Sequence, residues 1–328
     1  MPSLGHDIVV LGTSAGGLDA LDMVVGDLPS GLPATIFLVQ HLSAEASGEA
    51  VLHRLRKHKH FKCKLGRDGE AFERGVIYLA PSDNHMLVKA STLLVTKGAR
   101  ENRSRPAVDP LFRSAAVNHR SRVIGVVLTG MLDDGTAGLR AIKQCGGITC
   151  VQNPADAEYP EMPQSAVNNV DVDHCVDLAE MGALITRLVH TPHGPMKPIP
   201  QDVKTEAIIA ERVLSDIAQV STLGSQVPYN CPNCGGVLWQ MEDATECRYR
   251  CHTGHSYTAP ALLASQSEKI EETLWICLRM LEERANLMRN MSLKHVRPNG
   301  TGYYQERLKD NQVHIERIRK MLQAKNEG

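Results

Sequence analysis

The chain has 328 residues, long for one average domain and comfortable for two. Its formal charge of -1 offers no basic face, which excludes nucleic acid as an expected partner. A 42% hydrophobic content with only 4% aromatics implies a sizeable core of Val, Leu, Ile, Ala and Met, and no run reaches the roughly 18 to 20 apolar residues of a membrane span. The opening MPSLGHDIVVLG has no cationic region, long apolar run or cleavage site, so a cytoplasmic location without membrane insertion is expected.

The first element is DIVVLG (Asp7–Gly12), β-branched and closed by a glycine turn. A helix from about Gly17 follows, with Leu18, Leu21, Val24 and Val25 on one face. TIFLVQ (Thr35–Gln40) and VIYLAP (Val76–Pro81) read as further strands, and HMLVKASTLLVTKG (His85–Gly98) as a hairpin. Val108–His119 is helical. RVIGVVLTG (Arg122–Gly130) is a continuous apolar run, the mark of a strand buried on both faces. Thr136–Cys145 is a helix, ITCVQN (Ile148–Asn153) a strand, and a helix rich in Leu and Ala ends near Val189. Strand alternating with helix predicts an α/β fold: a doubly wound, mostly parallel, Rossmann-like three-layer sheet with its site beyond the carboxyl ends of the strands.

HTPHGPMKPIPQ (His190–Gln201) holds four prolines and reads as an extended linker. Beyond it, Val203–Val220 looks helical, residues 228–258 are rich in cysteine, and a long helix from about Pro260 carries Ile270, Leu274, Cys277, Leu281 and Met288 at helical spacing. RPNGTG (Arg297–Gly302) breaks that helix, and a second one places Leu308, Ile315, Ile318 and Leu322 on one side. The two form a helical hairpin whose stripes pack on each other or, alternatively, present a docking or oligomer face. The expected domains are 1–190, a linker over 191–202, and 203–328. No internal repeat or low-complexity tract is visible.

GTSAGG places Ser14 between Gly12 and Gly16 in the G-x-S-x-G spacing, after a strand and before a helix. A serine there sits on a sharp turn at the sheet's carboxyl end, and the helix aims its first amides at a developing oxyanion. A glycine-rich turn after a strand also begins dinucleotide sites, but Ser14 replaces the middle glycine of that fingerprint and no acidic residue ends the second strand. Gln40 and His41 stand there instead. His41 lies on the same rim as Ser14 and is the natural base for its proton. LTGMLDDGTAG brings Asp133 and Asp134 to that rim after the buried strand. One can orient the histidine, and one can cap the helix beginning near Thr136. The chain order Ser, His, Asp differs from the usual G-x-S-x-G hydrolase order.

Among nine cysteines, Cys63, Cys145, Cys150, Cys175 and Cys277 sit among apolar neighbours and read as small buried hydrophobes. Cys231, Cys234, Cys247 and Cys251 cluster, joined by His252 and His255. CPNC is a C-x2-C knuckle, and Cys251 with His255 makes a C-x3-H pair. Two such pairs close a tetrahedral structural zinc site with no open position, so a catalytic zinc is not expected. About thirty residues of low apolar content need such a staple. Spacing alone leaves Cys247 and His252 as further ligand candidates.

Taken together, GTSAGG, VQHLS (Val39–Ser43), IYLAPSDNHMLV (Ile77–Val88), SRPAVDPLFRSAA (Ser104–Ala116), LTGMLDDGTAGL (Leu128–Leu139) and QNPADAEYPEMPQSA (Gln152–Ala166) strongly resemble the catalytic domain of the bacterial chemotaxis protein-glutamate methylesterases. The resemblance covers roughly residues 5–190. It implies Ser14 as nucleophile, His41 as general base and Asp134, directly before Gly135, as the orienting acid, with Asp133 its non-catalytic neighbour. Met131 falls where the family has a methionine beside the site, a candidate for the oxyanion hole through its amide. Arg105, Asp109 and Pro163 match positions around the cleft. The implied reaction is hydrolysis of glutamate methyl esters on chemoreceptors, releasing methanol, with glutamine deamidation in some members.

The best-known members carry an N-terminal receiver domain, and none is expected here, so activity is expected to be constitutive or controlled by a partner, a separate regulator or the tail. CPNCGGVLW…YRCHTGHSYT resembles the zinc-ribbon-like tail of some stand-alone homologues, which implies Cys231, Cys234, Cys251 and His255 as the Zn2+ ligands. The implied partners are a methylated chemoreceptor or related signalling protein, and a receptor methyltransferase. An idle binding module that docks partners through the tail is the competing reading.

Overall fold

The computed structural model describes residues 5–212, 217–242, 247–294 and 301–323. The chain contacts divide it into two compact units, Met1–Leu262 and Leu263–Gly328.

The first unit begins with β1 (Ile8–Thr13), α1 (Gly17–Asp27), β2 (Thr35–Gln40), α2 (Glu49–Leu55), β3 (Lys62–Leu65) and β4 (Val76–Leu79). A two-stranded hairpin follows, β5 (His85–Val88) and β6 (Leu93–Thr96), then α3 (Val108–His119), β7 (Val123–Val127), α4 (Thr136–Gln144), β8 (Ile148–Gln152), α5 (Glu161–Asn169), β9 (His174–Val176) and α6 (Leu178–His190). Seven strands form one sheet in the order β3-β4-β2-β1-β7-β8-β9, and every pairing in it is parallel. Alternation along β1 supplies both faces. Val9 and Leu11 join Leu21, Val24, Leu184 and Ile185 on one side, while Ile8 and Val10 join Leu111, Phe112, Leu139 and Ile142 on the other. This is the expected three-layer α/β fold. The chain leaves β1 toward β2 on one side and returns to β7 on the other, which opens a crevice at the carboxyl end of β1.

Two strands were not anticipated. KCKL of β3 and HCV of β9 are short, lie at the sheet edges and carry polar residues, so they lack the apolar run that marks the central strands.

The expected boundary near residue 190 is not where the contacts break. After an irregular segment over 193–200, α7 (Gln201–Glu211) packs on α3. The expected helix over Val203–Val220 is not continuous: α7 ends at Glu211, where Arg212 turns extended, and α8 covers Ile217–Ser221; residues 213–216 lie outside the described residues. Then β10 (Gly224–Asn230), β11 (Val237–Met241), β12 (Arg248–Cys251) and β13 (Ser256–Thr258) form a four-stranded antiparallel ribbon. The ribbon belongs to the first unit, where buried ion pairs to Glu101 and Glu206 and a β-bridge to Glu101 join it to the α/β layers, although the sequence groups it with the terminal helices.

The second unit holds most of α9 (Ala259–Lys294) and α10 (Thr301–Gln323). The hairpin stripe on α10 falls as expected, with Ile315 buried and Leu308, Ile318 and Leu322 packed around it. On α9 the seam runs through Leu278, Leu281 and Ala285, while Ile270 and Cys277 are exposed. The break at RPNGTG lies largely outside the described residues. Of the five scattered cysteines, Cys63, Cys145 and Cys150 are buried, but Cys175 and Cys277 are exposed, correcting the expectation for those two.

Candidate active site

The rim above β1 gathers the three predicted side chains. Ser14 follows β1, and Gly16 takes a φ of 71° that glycine alone adopts without strain. The turn is pinned: the Ser14 amide donates to the Thr129 carbonyl at 3.1 Å, and the Gln40 side-chain amide donates to the Ser14 carbonyl at 2.8 Å. A Cβ on Gly130 would stand 2.8 Å from the Ser14 Cβ and 2.2 Å from the Met162 sulfur, so that glycine lets the β7 loop close on the serine. The first amide of α1 is not free as expected, because Gly17 N–H donates to the Ser14 carbonyl at 3.0 Å.

His41 follows β2, anchored by its own amide to the Thr13 carbonyl at 3.1 Å. Its Nδ1 lies 3.1 Å from Ser14 Oγ and its Nε2 lies 2.7 Å from Asp134 Oδ2. An ionised carboxylate only accepts, so Nε2 carries the proton and Nδ1 is left to accept from the serine hydroxyl.

Asp134 is buried. Its Oδ2 also takes the Val108 amide at 2.6 Å, and its Oδ1 takes the Asp109 amide and the Asn102 side-chain amide, both at 3.1 Å. Burial pushes the carboxyl up, but the bonds from His41, Val108 and Asn102 outweigh it and hold the group below its ordinary value. Asp109, equally buried, is driven to about 7 by desolvation and then by the Asp134 charge. Asn102 bridges the two carboxyls, donating to Asp109 at 2.8 Å.

Asp133 does not cap α4. Gly135 is the N-cap residue with no side-chain cap, and the buried Asp133 carboxyl accepts a short hydrogen bond from the Thr258 hydroxyl of β13. Desolvation raises it to about 6. Of the other residues singled out, Arg105 pairs with Asp83 at 2.9 Å, Pro163 is buried in α5, and Met131 is exposed on the loop beyond Gly130. Asn102 and the ribbon contacts were missed by sequence reading. The only cue was a polar Glu-Asn pair just before the SRPAVD run.

In the ribbon, ligand atoms of Cys231, Cys234, Cys251 and His255 all lie within 4.8 Å of one another. Cys234 Sγ to Cys251 Sγ is 3.8 Å, and Cys251 Sγ to His255 Nδ1 is 3.4 Å. Tetrahedral zinc with bonds of about 2.3 Å to sulfur and 2.0 Å to nitrogen separates its ligands by roughly those spans. Cys247 points instead to the Tyr249 hydroxyl at 3.1 Å, and the His252 ring stands edge-on to Trp239.

A family profile described as CheB methylesterase matches residues 9–185, more than half of the chain. A Leptospira interrogans protein, provisionally named a protein-glutamate methylesterase/protein-glutamine glutaminase, is 37% identical over 186 residues, covering 56% of this chain and 96% of that protein. The protein-glutamate methylesterase/protein-glutamine glutaminase of Thermotoga maritima is 32% identical over 192 residues and that of Salmonella typhimurium 36% over 178. This chain spans 56% and 50% of those two proteins, about half of each. The crystal structure of the Thermotoga maritima CheB methylesterase catalytic domain matches with a TM-score of 0.53 at 32% identity, over 56% of this chain and 98% of that one. With the family profile over residues 9–185, the named relatives and the solved relative in agreement, the chain belongs to the CheB methylesterase family.

Proposed function

We propose that the chain is a protein-glutamate methylesterase, hydrolysing γ-glutamyl methyl esters on chemoreceptors or a related signalling protein. The observation that carries this is the unbroken line from Ser14 Oγ through His41 to Asp134. Ser14 Oγ attacks the ester carbonyl while His41 Nδ1 takes its proton, and Asp134 stabilises the imidazolium. The Met131 amide is the proposed oxyanion donor. Collapse of the tetrahedral adduct breaks the ester C–O bond, and His41 returns the proton to the departing methanol oxygen. Water then attacks the acyl-enzyme with His41 as base, giving free glutamate and Ser14. With a glutamine side chain the same steps release ammonia, a second activity consistent with the relatives' names.

The ribbon is proposed to hold one structural Zn2+ through Cys231, Cys234, Cys251 and His255. No helix among the described residues is long and apolar enough to cross a membrane, which is compatible with work at the cytoplasmic side of a receptor. The test uses methyl-labelled receptor membranes. Wild-type protein should release methanol and Ser14→Ala should release none. A fluorophosphonate probe that leaves folded wild-type protein unlabelled would end the hydrolase reading. Metal analysis should find one zinc per chain.

A further inference from the structure

We propose that the Cys/His ribbon is part of the catalytic apparatus: it clamps the turn at residues 100–104, and Asn102 on that turn positions the Asp134 carboxylate. The inference rests on the hydrolase reading and assigns the ribbon a role within it.

Three tethers cross from ribbon to catalytic layer. First, β13 forms a parallel bridge with the turn: Asn102 N–H donates to the Ser256 carbonyl at 2.9 Å, and Ser256 N–H donates to the Arg100 carbonyl at 3.3 Å. Second, Arg250 is fully buried and pairs with both oxygens of Glu101 at 3.2 and 3.3 Å, while donating to the Gly254 carbonyl at 3.0 Å. Glu101 is also gripped by Arg113 of α3, and Glu206 of α7 ties Arg248, Arg250 and Arg113 into the same buried cluster. Third, Thr258 donates to Asp133, next to the triad carboxylate.

The first two tethers converge on one side chain, that of Asn102, and the third holds Asp133 beside Asp134. Asn102 and Arg103 both have left-handed backbone, with φ of 48° and 69°. Such a conformation persists where surrounding contacts over-determine it. Held so, the Asn102 amide spans Asp109 and Asp134 and fixes the oxygen opposite the one that holds His41.

The metal-ligating pair sits inside the clamp. Arg250 immediately precedes Cys251, Ser256 immediately follows His255, and Cys251 N–H closes the knuckle on the His255 carbonyl at 3.0 Å. A ribbon this small depends on its metal to stay folded. Losing the metal therefore frees Arg250 and Ser256 together and lets Asn102 drift. A displacement of about 1 Å in such a support slows catalysis by up to about 100-fold.

The experiment uses the full chain and reads two signals: the rate of fluorophosphonate labelling at Ser14, and the low-field proton resonance of His41 Nε2–H. Asn102→Ala should slow labelling about 10- to 100-fold and shift the resonance, yet add less than twofold in an Asp134→Ala background. Chelation of the metal should reproduce the slowing, and added zinc should reverse it. Asn102→Ala protein should lose most of its dependence on metal, the remainder passing through the Thr258–Asp133 contact. If chelation unfolds the whole chain, Arg250→Lys replaces it. Losing the two-pronged guanidinium contact should lower the rate and shift the resonance in the same direction as Asn102→Ala. Equal slowing by Asn102→Ala in both backgrounds, or unchanged labelling after the ribbon thiols have become reactive, overturns the proposal. Absence of labelling in wild-type protein defeats the hydrolase reading instead, and the His41 resonance still decides whether Asn102 positions Asp134.

Discussion

Replacing Asp134 by asparagine keeps the shape of the triad and removes its charge. The carboxylate collects Val108 N and His41 Nε2 on Oδ2, and Asp109 N and the Asn102 amide on Oδ1. Asparagine has one acceptor oxygen, so its amino group must face one of these donor pairs. Turned toward His41, it meets Val108 N–H at the shortest of the four distances, 2.6 Å. It also moves the imidazole proton to Nδ1, where the ring cannot take the serine proton. Turned toward Asn102, it meets two contacts of 3.1 Å, and His41 keeps an acceptor without the charge. A unit charge about 4 Å from the imidazolium is worth about 4 kcal/mol at an effective dielectric near 20, a factor of about 10³ in rate. The reversed tautomer in serine-protease triads loses about 10⁴. Fluorophosphonate labelling and p-nitrophenyl acetate turnover at neutral pH should therefore fall about 10³- to 10⁴-fold. Stability should fall by about 1 to 3 kcal/mol for each N–H left unpaired. A folded variant less than about tenfold slower would refute the electrostatic role of Asp134.

Three further outcomes follow from packing and charge. Gly130→Ala drives a methyl against Ser14 and the Met162 sulfur. It should destabilise by about 1 to 3 kcal/mol in urea and abolish labelling even where the protein folds. Glu101 titrates at about 2 when folded, against an ordinary 4.5, because Arg113 and Arg250 outweigh its burial; Glu206 is depressed as well. A depressed acid contributes stability above its unfolded value and loses it as pH falls toward its folded value. The urea midpoint should drop between pH 4.5 and pH 2, and Glu101→Gln should flatten that limb; a flat wild-type limb would contradict the buried pairing. Ile315→Ala removes the centre of the hairpin seam and should lower the protection of α9 and α10 amides in hydrogen exchange, with an expected loss of about 2 to 5 kcal/mol.

What was legible in the sequence is what local chemistry dictates. The central strands announced themselves because burial on both faces demands an unbroken apolar run such as VIGVV of β7. The meeting of Ser14, His41 and Asp134 was legible because three reactive residue types fell at three strand ends. The edge strands β3 and β9 were not, since an edge strand half-faces solvent and reads like a loop. The placement of α7 was also illegible. Its buried Glu206 looks like a surface residue until Arg113, Arg248 and Arg250 are brought to it from distant parts of the chain. Asn102 was missed for the same reason, because its partners are set by tertiary contact and not by spacing. Sequence pattern reports which face of an element is apolar; it carries little about which charges will meet once those faces are buried.

The strand order explains why His41 uses its ring nitrogens as it does. In serine-protease triads Nε2 meets the serine and Nδ1 the aspartate, and here the two are exchanged. Ser14 leaves the central strand β1, His41 leaves β2 on one side, and Asp134 lies in the loop beyond β7 on the other. Adjacent strands are about 4.8 Å apart, so the histidine must reach over the serine's strand to meet an aspartate about two strand spacings away. Nδ1 is bonded to the ring carbon that carries the side chain and meets the nearer group, whereas Nε2 lies at the far end of the ring and meets the more distant one. Had the aspartate come from the β2 side, the ring would have been free to turn and present Nε2 to the serine. The proton relay proposed for this site therefore runs with the imidazole reversed, and the reversal follows from which strand carries which residue.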